Sequence, residues 1–126
     1  MADRIPRILV VGAQGKMGKE AVAAIKNTSG LELAGTVVKG QSLADELDKT
    51  QANIMLELTG PESVYAHTKL ALERTTSCIV GASGLTADQV KELECIANKQ
   101  QVGACVIPNF SIAATLLVLC AQRIAP

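Results

Sequence analysis

At 126 residues the chain is long enough for one domain with a single core and too short for two. Hydrophobic residues make up 48%, yet Tyr65 and Phe110 are the only aromatics, so the core must be built from Val, Ile, Leu and Ala. Twelve basic residues balance twelve acidic ones, and there is no Lys/Arg cluster, which argues against nucleic acid and leaves a small molecule or another protein as the partner.

Ile8 to Val11 is an unbroken aliphatic run, the pattern of a strand buried on both faces of a parallel sheet. A glycine-rich turn follows, then a helix in which Met17, Ala21, Ala24 and Ile25 recur at helical spacing until Asn27 to Gly30 stops it. Leu31 to Val38 predicts a second strand, ending at Lys39-Gly40, and Ser42 to Leu47 a short helix with Ser42 as its N-cap. A third strand is expected at Ile54 to Leu58. Thr59-Gly60-Pro61 then turns the chain into a helix that can begin at Pro61 and runs to about Arg74.

Cys78 to Val80 predicts a fourth strand, closed by Gly81-Ala-Ser-Gly84. Thr86 and Gln89 form a capping-box pattern ahead of a helix whose Val90, Leu93, Ile96 and Ala97 make one apolar face. Val102 to Ile107 is the fifth expected strand, and a last helix begins near Ser111. Strands and helices alternate throughout, which implies parallel strands joined by right-handed crossovers. The expected fold is α/β, a Rossmann-like doubly wound parallel sheet in three α/β/α layers. Ligands of such sheets bind beyond the carboxyl ends of the strands, where the turns described next also lie.

Gly12-Ala-Gln-Gly15-Lys-Met-Gly18 joins the first strand to the first helix. Gly12 permits the tight turn, Gly15 lets a pyrophosphate approach the backbone, and Gly18 lets the helix pack closely. Helix N-terminal N–H groups favour anionic phosphates, and Lys16 adds a positive charge. The spacing is G-x-x-G-x-x-G, a relative of the dinucleotide fingerprint. An NAD-selective site commonly carries Asp or Glu at the end of the second strand; here Thr36-Val-Val38-Lys39 has no acid. Lys39 can pair with a 2′-phosphate, so NADPH is the expected cofactor, with NADH as the alternative.

The four cysteines, Cys78, Cys95, Cys105 and Cys120, contain no C-x-x-C pair, so neither a metal site nor a redox pair is expected. The polar start Met1-Ala-Asp-Arg-Ile-Pro does not read as a secretory leader, and the cysteines are expected to be buried thiols of a cytoplasmic protein. Ile112 to Ala121 is too short to span a membrane. It is apolar on nearly every side, so it is expected either to be covered by another domain or subunit or to lie buried in this sheet's own helical layer. Glu92 with Glu94 and Asp45 with Glu46 read as a solvated face. Gly81-Ala-Ser-Gly84 is not the G-x-S-x-G elbow, and Met17 after Lys16 breaks the ATP-type P-loop.

Four segments together resemble the N-terminal half of the dihydrodipicolinate reductase family. Gly12 to Gly18 resembles its G-x-x-G-R-M-G turn, and Glu57-Leu-Thr-Gly-Pro-Glu62 its D-F-T-x-P-E segment. Gly81-Ala-Ser-Gly-Leu85 is loosely similar to G-T-T-G-F, and Pro108-Asn-Phe-Ser-Ile112 closely similar to A-N-F-S-V/I. The resemblance implies that Gly12, Gln14, Gly15, Lys16 and Met17 cradle the pyrophosphate and that Lys39 meets the adenosine ribose. It further implies that Leu58, Thr59 and Gly60 line the adenosine side. Gly81 and Ser83 would approach the nicotinamide, and Asn109 with Phe110 would close over it. His67 falls where some members have a histidine near the cofactor.

The chain also departs from the family. Val38 replaces its acidic residue, Ala82 and Ser83 replace a threonine pair, and Ser111-Ile-Ala-Ala-Thr115 replaces S-x-G-V-N. The second-domain motif E-x-H-H-x-x-K-x-D-A-P-S-G-T has no counterpart, so no residue is assigned catalysis. The expected function is the NAD(P)H-binding domain of a reductase acting on 4-hydroxy-tetrahydrodipicolinate, working as a homo-oligomer. The alternatives are a non-catalytic NADP(H)-sensing or partner-binding module and a coenzyme A-binding domain.

Overall fold

The computed structural model describes residues 4–107 and 110–124. Five strands and five helices alternate: β1 (Arg7–Val11), α1 (Lys16–Lys26), β2 (Glu32–Val37), α2 (Leu43–Thr50) and β3 (Ile54–Glu57). They continue with α3 (Val64–Glu73), β4 (Ser77–Val80), α4 (Ala87–Gln100), β5 (Ala104–Val106) and α5 (Ile112–Ile124). The strands form one sheet in the order β2-β1-β3-β4-β5, every pairing parallel. From β1 the chain runs outward to β2 and then crosses back to β3. The switch point of this doubly wound α/β sheet therefore lies between β1 and β3.

The sheet's two faces are filled unequally. Alternating side chains send Leu9, Val11, Met55, Cys78 and Val80 to one side, where Leu43 and Leu47 of α2, Val64, Ala71 and Leu72 of α3 and Leu93 and Ala97 of α4 close a continuous core. On the other side Ile8 and Val10 pack with Ile25 of α1, joined by half-buried Leu33, Ile54 and Leu56. Ile8 to Val11 is buried on both faces, as its unbroken aliphatic run predicts.

Caps fix several boundaries. Ser42 Oγ accepts from Asp45 N at 3.3 Å, starting α2. The capping box of α4 is present in both halves: Thr86 N donates to Gln89 Oε1 at 3.0 Å, and Gln89 N to Thr86 Oγ1 at 3.2 Å. The helix expected to begin at Pro61 begins instead at Val64, because Ser63 N and Val64 N both donate to Gly60 O and fold 60–63 into a turn. The fifth strand is shorter than expected. Gln101 takes a left-handed conformation and Val102 N donates to Ala97 O, so those residues end α4 and do not pair in the sheet.

Two expectations about burial, for the cysteines and for α5, are corrected. Only Cys78 of the four cysteines is buried. Cys95 lies on the outward face of α4, Cys105 on edge strand β5 and Cys120 on α5. The apolar stripe of α1 is wider than its buried face: Ile25 is buried and Ala21 half-buried, but Met17 and Ala24 are exposed. No residue of α5 is buried; Ile112 is 80% exposed and Leu117 71%, so the helix does not lie in the sheet's own layer.

Candidate functional site

A cleft of about 420 Å³ opens over the carboxyl ends of β1, β2 and β3, at the switch point. Gly12, Gln14 and Gly15 form one wall and Val37 to Gln41 another; Thr59, Ser63 and His67 form the third. The walls are tied together by backbone bonds that extend the sheet. Gly12 N donates to Val37 O at 2.9 Å, and Leu58 N donates to Val11 O at 2.9 Å.

Each glycine of the turn has its own geometry. Gly12 has φ +86°, and a Cβ there would stand 2.7 Å from Leu58 O, so both conformation and space demand glycine. A Cβ on Gly18 would drive into the Gly12 carbonyl, which makes Gly18 the contact that seats α1 under the turn. Gly15 differs. Its φ of −68° suits any residue, and a Cβ would meet only Gly12 O, at 3.4 Å. Nothing inside the protein requires glycine here; its missing side chain leaves open the space in front of the α1 N-terminus.

The helix ends facing the cleft share a property. α1 starts at Gly15 and α3 at Ser63, and neither has a side-chain cap or an acidic residue in its first turn. α2 and α4, which start elsewhere, have both. Uncapped first-turn N–H groups need acceptors from outside the helix, and the dipole makes anionic ones most favourable. Lys39 is exposed at the tip of a turn that Gln41 holds, its Oε1 accepting from Val38 N at 2.8 Å.

Beneath the third wall lies Glu57, fully buried at the end of β3. Its Oε1 accepts from Thr59 N at 2.8 Å and also from the Thr59 hydroxyl. Its Oε2 meets His67 Nδ1 at 2.9 Å. Behind it, burial and the nearby Glu57 charge push the Cys78 thiol up to about 12. Among the described residues no buried side-chain polar atom lacks a partner, and no group of acids, histidines and cysteines could hold a metal.

The sequence-predicted positions fall into separate groups. Gly12, Gln14, Gly15, Lys39 and Thr59 line the cleft. Lys16, Met17, Leu58 and Phe110 line a second, apolar groove of about 490 Å³ on the α1 side, together with Leu56 and Ala24. The Phe110 ring lies against Gly81 and Leu58, where a Cβ on Gly81 would collide with it. Gly60 bends the turn before α3, Ser83 is exposed in the loop after β4, and Asn109 lies outside the described residues.

Gln41, Ser63 and the Glu57–His67 pair escaped prediction as a constellation. A signal existed for the pair: alternation along β3 turns Glu57 inward with Met55, towards the helix that carries the only histidine. Asp45, Glu92 and Glu94 are exposed as expected of a solvated face, with Glu92 also paired to Lys69 at 2.8 Å; Glu46 is half-buried and pairs with Lys49 at 3.6 Å.

A parallel doubly wound sheet with a glycine turn and an uncapped helix N-terminus at its switch point defines a Rossmann-like nucleotide-binding domain. The family profile described as dihydrodipicolinate reductase, N-terminus, matches residues 6–110. The 4-hydroxy-tetrahydrodipicolinate reductase of Syntrophomonas wolfei is 35% identical over 94% of this chain and 52% of its own length. That of Lysinibacillus sphaericus is 32% identical over 94% of this chain and 53% of its own. Among solved structures, dipicolinate-bound dihydrodipicolinate reductase from Paenisporosarcina sp. TG-14 superposes with a TM-score of 0.82 at 26% identity, over 97% of this chain and 54% of that one. The chain belongs to the dihydrodipicolinate reductase family, within the N-terminal domain. It spans about half the length of the curated relatives it matches.

Proposed function

We propose that this chain is the cofactor half of a reductase that transfers hydride from a nicotinamide dinucleotide to 4-hydroxy-tetrahydrodipicolinate, a step of lysine and diaminopimelate biosynthesis. The observation that carries the reading is the contrast in capping. Among the described residues, the two helices that open onto the switch-point cleft lack both a side-chain cap and first-turn acids, whereas α2 and α4 have both and α5, without acids, has Ser111 Oγ accepting from Ala114 N. An anionic ligand is the complement the α1 end favours, while at α3 the Val64 N–H already donates to Gly60 O. In this reading the α1 N-terminus and Gly12 to Gly15 hold the pyrophosphate. The end of β2 and the α3 wall hold the adenosine, and Phe110 with Gly81 borders the nicotinamide. Ser83 belongs to that end of the site.

NADPH is the favoured cofactor, because Lys39 stands at the cleft where other dinucleotide sites put a carboxylate. The cofactor, when bound, supplies the hydride; this chain's residues orient it and neutralise its phosphates. Substrate binding and proton delivery fall to a second half, joined in a longer protein or supplied as a partner. The uncovered apolar surface of α5 supports such a neighbour, and a homo-oligomer with cytoplasmic location fits the same reading. Among the described residues no helix is long and apolar enough to cross a membrane.

The test is calorimetric titration of the chain with NADPH, NADH and coenzyme A in parallel. NADPH should bind, Lys39→Glu should weaken it about tenfold while leaving NADH nearly unchanged, and coenzyme A should not bind. Absence of binding by both dinucleotides would overturn the reading.

A further inference from the structure

The buried carboxylate at the end of β3 does not itself line the cleft, yet both side chains it holds do. Glu57 Oε1 takes two hydrogen bonds from Thr59, and Oε2 faces His67 Nδ1 at 2.9 Å. A carboxylate only accepts, so Nδ1 must carry the proton in that contact. In the neutral ring Nε2 is then the acceptor. Among the described residues it has no hydrogen-bond partner, and the His67 side chain is 28% exposed at the cleft wall.

We propose that Glu57 is a positioning residue that fixes His67 as its Nδ1–H tautomer, so that the cleft wall offers Nε2 as an acceptor to an N–H or O–H donor on the adenosine of the cofactor. The inference rests on the dinucleotide reading above and deepens it. Phosphate oxygens cannot satisfy a neutral acceptor, whereas the exocyclic amine of adenine and the ribose hydroxyls can. Thr59, held by the same carboxylate, sets the neighbouring part of the wall, so one buried group fixes two contacts at once.

Glu57→Gln separates this role from a merely structural one. The two Thr59 donors require an oxygen at the first position, which forces the amide NH2 towards His67 Nδ1. That donor pairs with an unprotonated Nδ1, so the ring must adopt the Nε2–H tautomer and present a donor to the cleft. The isosteric change therefore reverses the hydrogen-bonding sense of His67 without removing it.

His67 is the only histidine, so long-range ¹⁵N–¹H spectra of the imidazole report one ring without ambiguity. At a pH where the ring is neutral, the wild-type chain should show the Nδ1–H pattern and Glu57→Gln the Nε2–H pattern. Calorimetric titration should find NADPH and NADH both bound roughly tenfold more weakly by Glu57→Gln. That loss should vanish when the substitution is made in a His67→Ala background. A wild-type ring in the Nε2–H form overturns the proposal even if the glutamine variant fails to fold. Equal dinucleotide affinity in wild type and Glu57→Gln, or a loss that persists in the His67→Ala background, also overturns it. If wild type binds neither dinucleotide, the cofactor reading fails and the adenosine contact fails with it, while the spectra still decide whether Glu57 sets the tautomer.

Discussion

Gly12→Ala and Gly15→Ala make a matched pair, because the two glycines are three residues apart and stand in opposite relation to the protein's own atoms. At Gly12 a methyl group must be held at φ +86° and 2.7 Å from Leu58 O. The conformation alone costs about 1–2 kcal/mol, and relieving the overlap adds a similar amount. Destabilisation of roughly 2–4 kcal/mol is expected. At Gly15 the methyl meets only Gly12 O, at 3.4 Å, and φ is −68°. Restricting the unfolded chain gains about 0.4–1 kcal/mol, and alanine at an N-cap loses about the same against glycine. The two nearly offset, so Gly15→Ala should leave stability within about 1 kcal/mol of wild type. Its effect should appear in binding: the methyl occupies the space before the α1 N-terminus and separates a phosphate oxygen from the first-turn N–H groups. Losing one charge-assisted hydrogen bond of about 1.5–3 kcal/mol weakens NADPH by roughly 10- to 150-fold. Urea unfolding and calorimetric titration of both variants measure the two effects. A Gly15→Ala chain that is fully folded and binds NADPH within twofold of wild type would refute the assignment of this turn to the pyrophosphate.

Cysteine chemistry gives a second check: in the folded 126-residue chain a maleimide should label Cys95, Cys105 and Cys120, and reach Cys78 only after unfolding. The raised Cys78 value also carries a sign. The folded thiol holds its proton up to about 12 against an ordinary 9.0, so its stabilising contribution is complete below pH 9 and is lost as pH rises towards 12. Unfolding free energy should fall by up to about 1.4 kcal/mol per pH unit in that window, and Cys78→Ala should remove this slope. Exposed α5 should make the isolated chain self-associate, and Leu117→Glu should suppress association by analytical ultracentrifugation without changing the urea midpoint of the sheet domain. A strictly monomeric wild-type chain at millimolar concentration would count against a covered α5. Thr86→Ala removes half of the α4 capping box and should cost about 1 kcal/mol in the same unfolding assay.

What the sequence displays well is local and periodic. The two-faced burial of Ile8 to Val11, the Ser42 cap and the Thr86–Gln89 box are all set by residues within a few positions of each other, and each is present as expected. What it hides depends on partners distant in the chain. The start of α3 shifted because Gly60 O collects two N–H groups in a turn, a choice that Pro61 alone does not reveal. Three cysteines appeared apolar enough to bury, yet β5 is an edge strand and α5 lies against no core, so Cys105 and Cys120 have nothing to be buried under. The Glu57–His67 contact spans ten positions and two elements. From the sequence, alternation along β3 turns Glu57 inward, and the rule that a buried carboxylate must find donors then points to the contact.

The arrangement around the turn also bears on the kind of ligand. On the β2 side of Gly12 to Gly15 the cleft carries the polar side chains of Lys39, Gln41, Thr59, Ser63 and His67 beside the apolar Val11, Val37 and Val38. On the α1 side the groove is apolar, lined by Met17, Ala21, Ala24, Leu56, Leu58 and Phe110 with the stems of Lys16 and Glu20 at its border. A mononucleotide would use the turn and the polar cleft and leave the apolar groove empty. A coenzyme A thioester would also place its adenosine in the polar part, but its pantetheine arm is flexible and rich in amides, poorly matched to an apolar wall bordered by a flat ring. A dinucleotide has anionic phosphates at its centre, a hydrogen-bonding adenosine at one end and a flat heteroaromatic ring at the other. Its three chemistries occur in the same order as the polar cleft, the uncapped helix end and the Phe110 groove, which is why the unequal covering of the two sheet faces supports a nicotinamide cofactor over either rival.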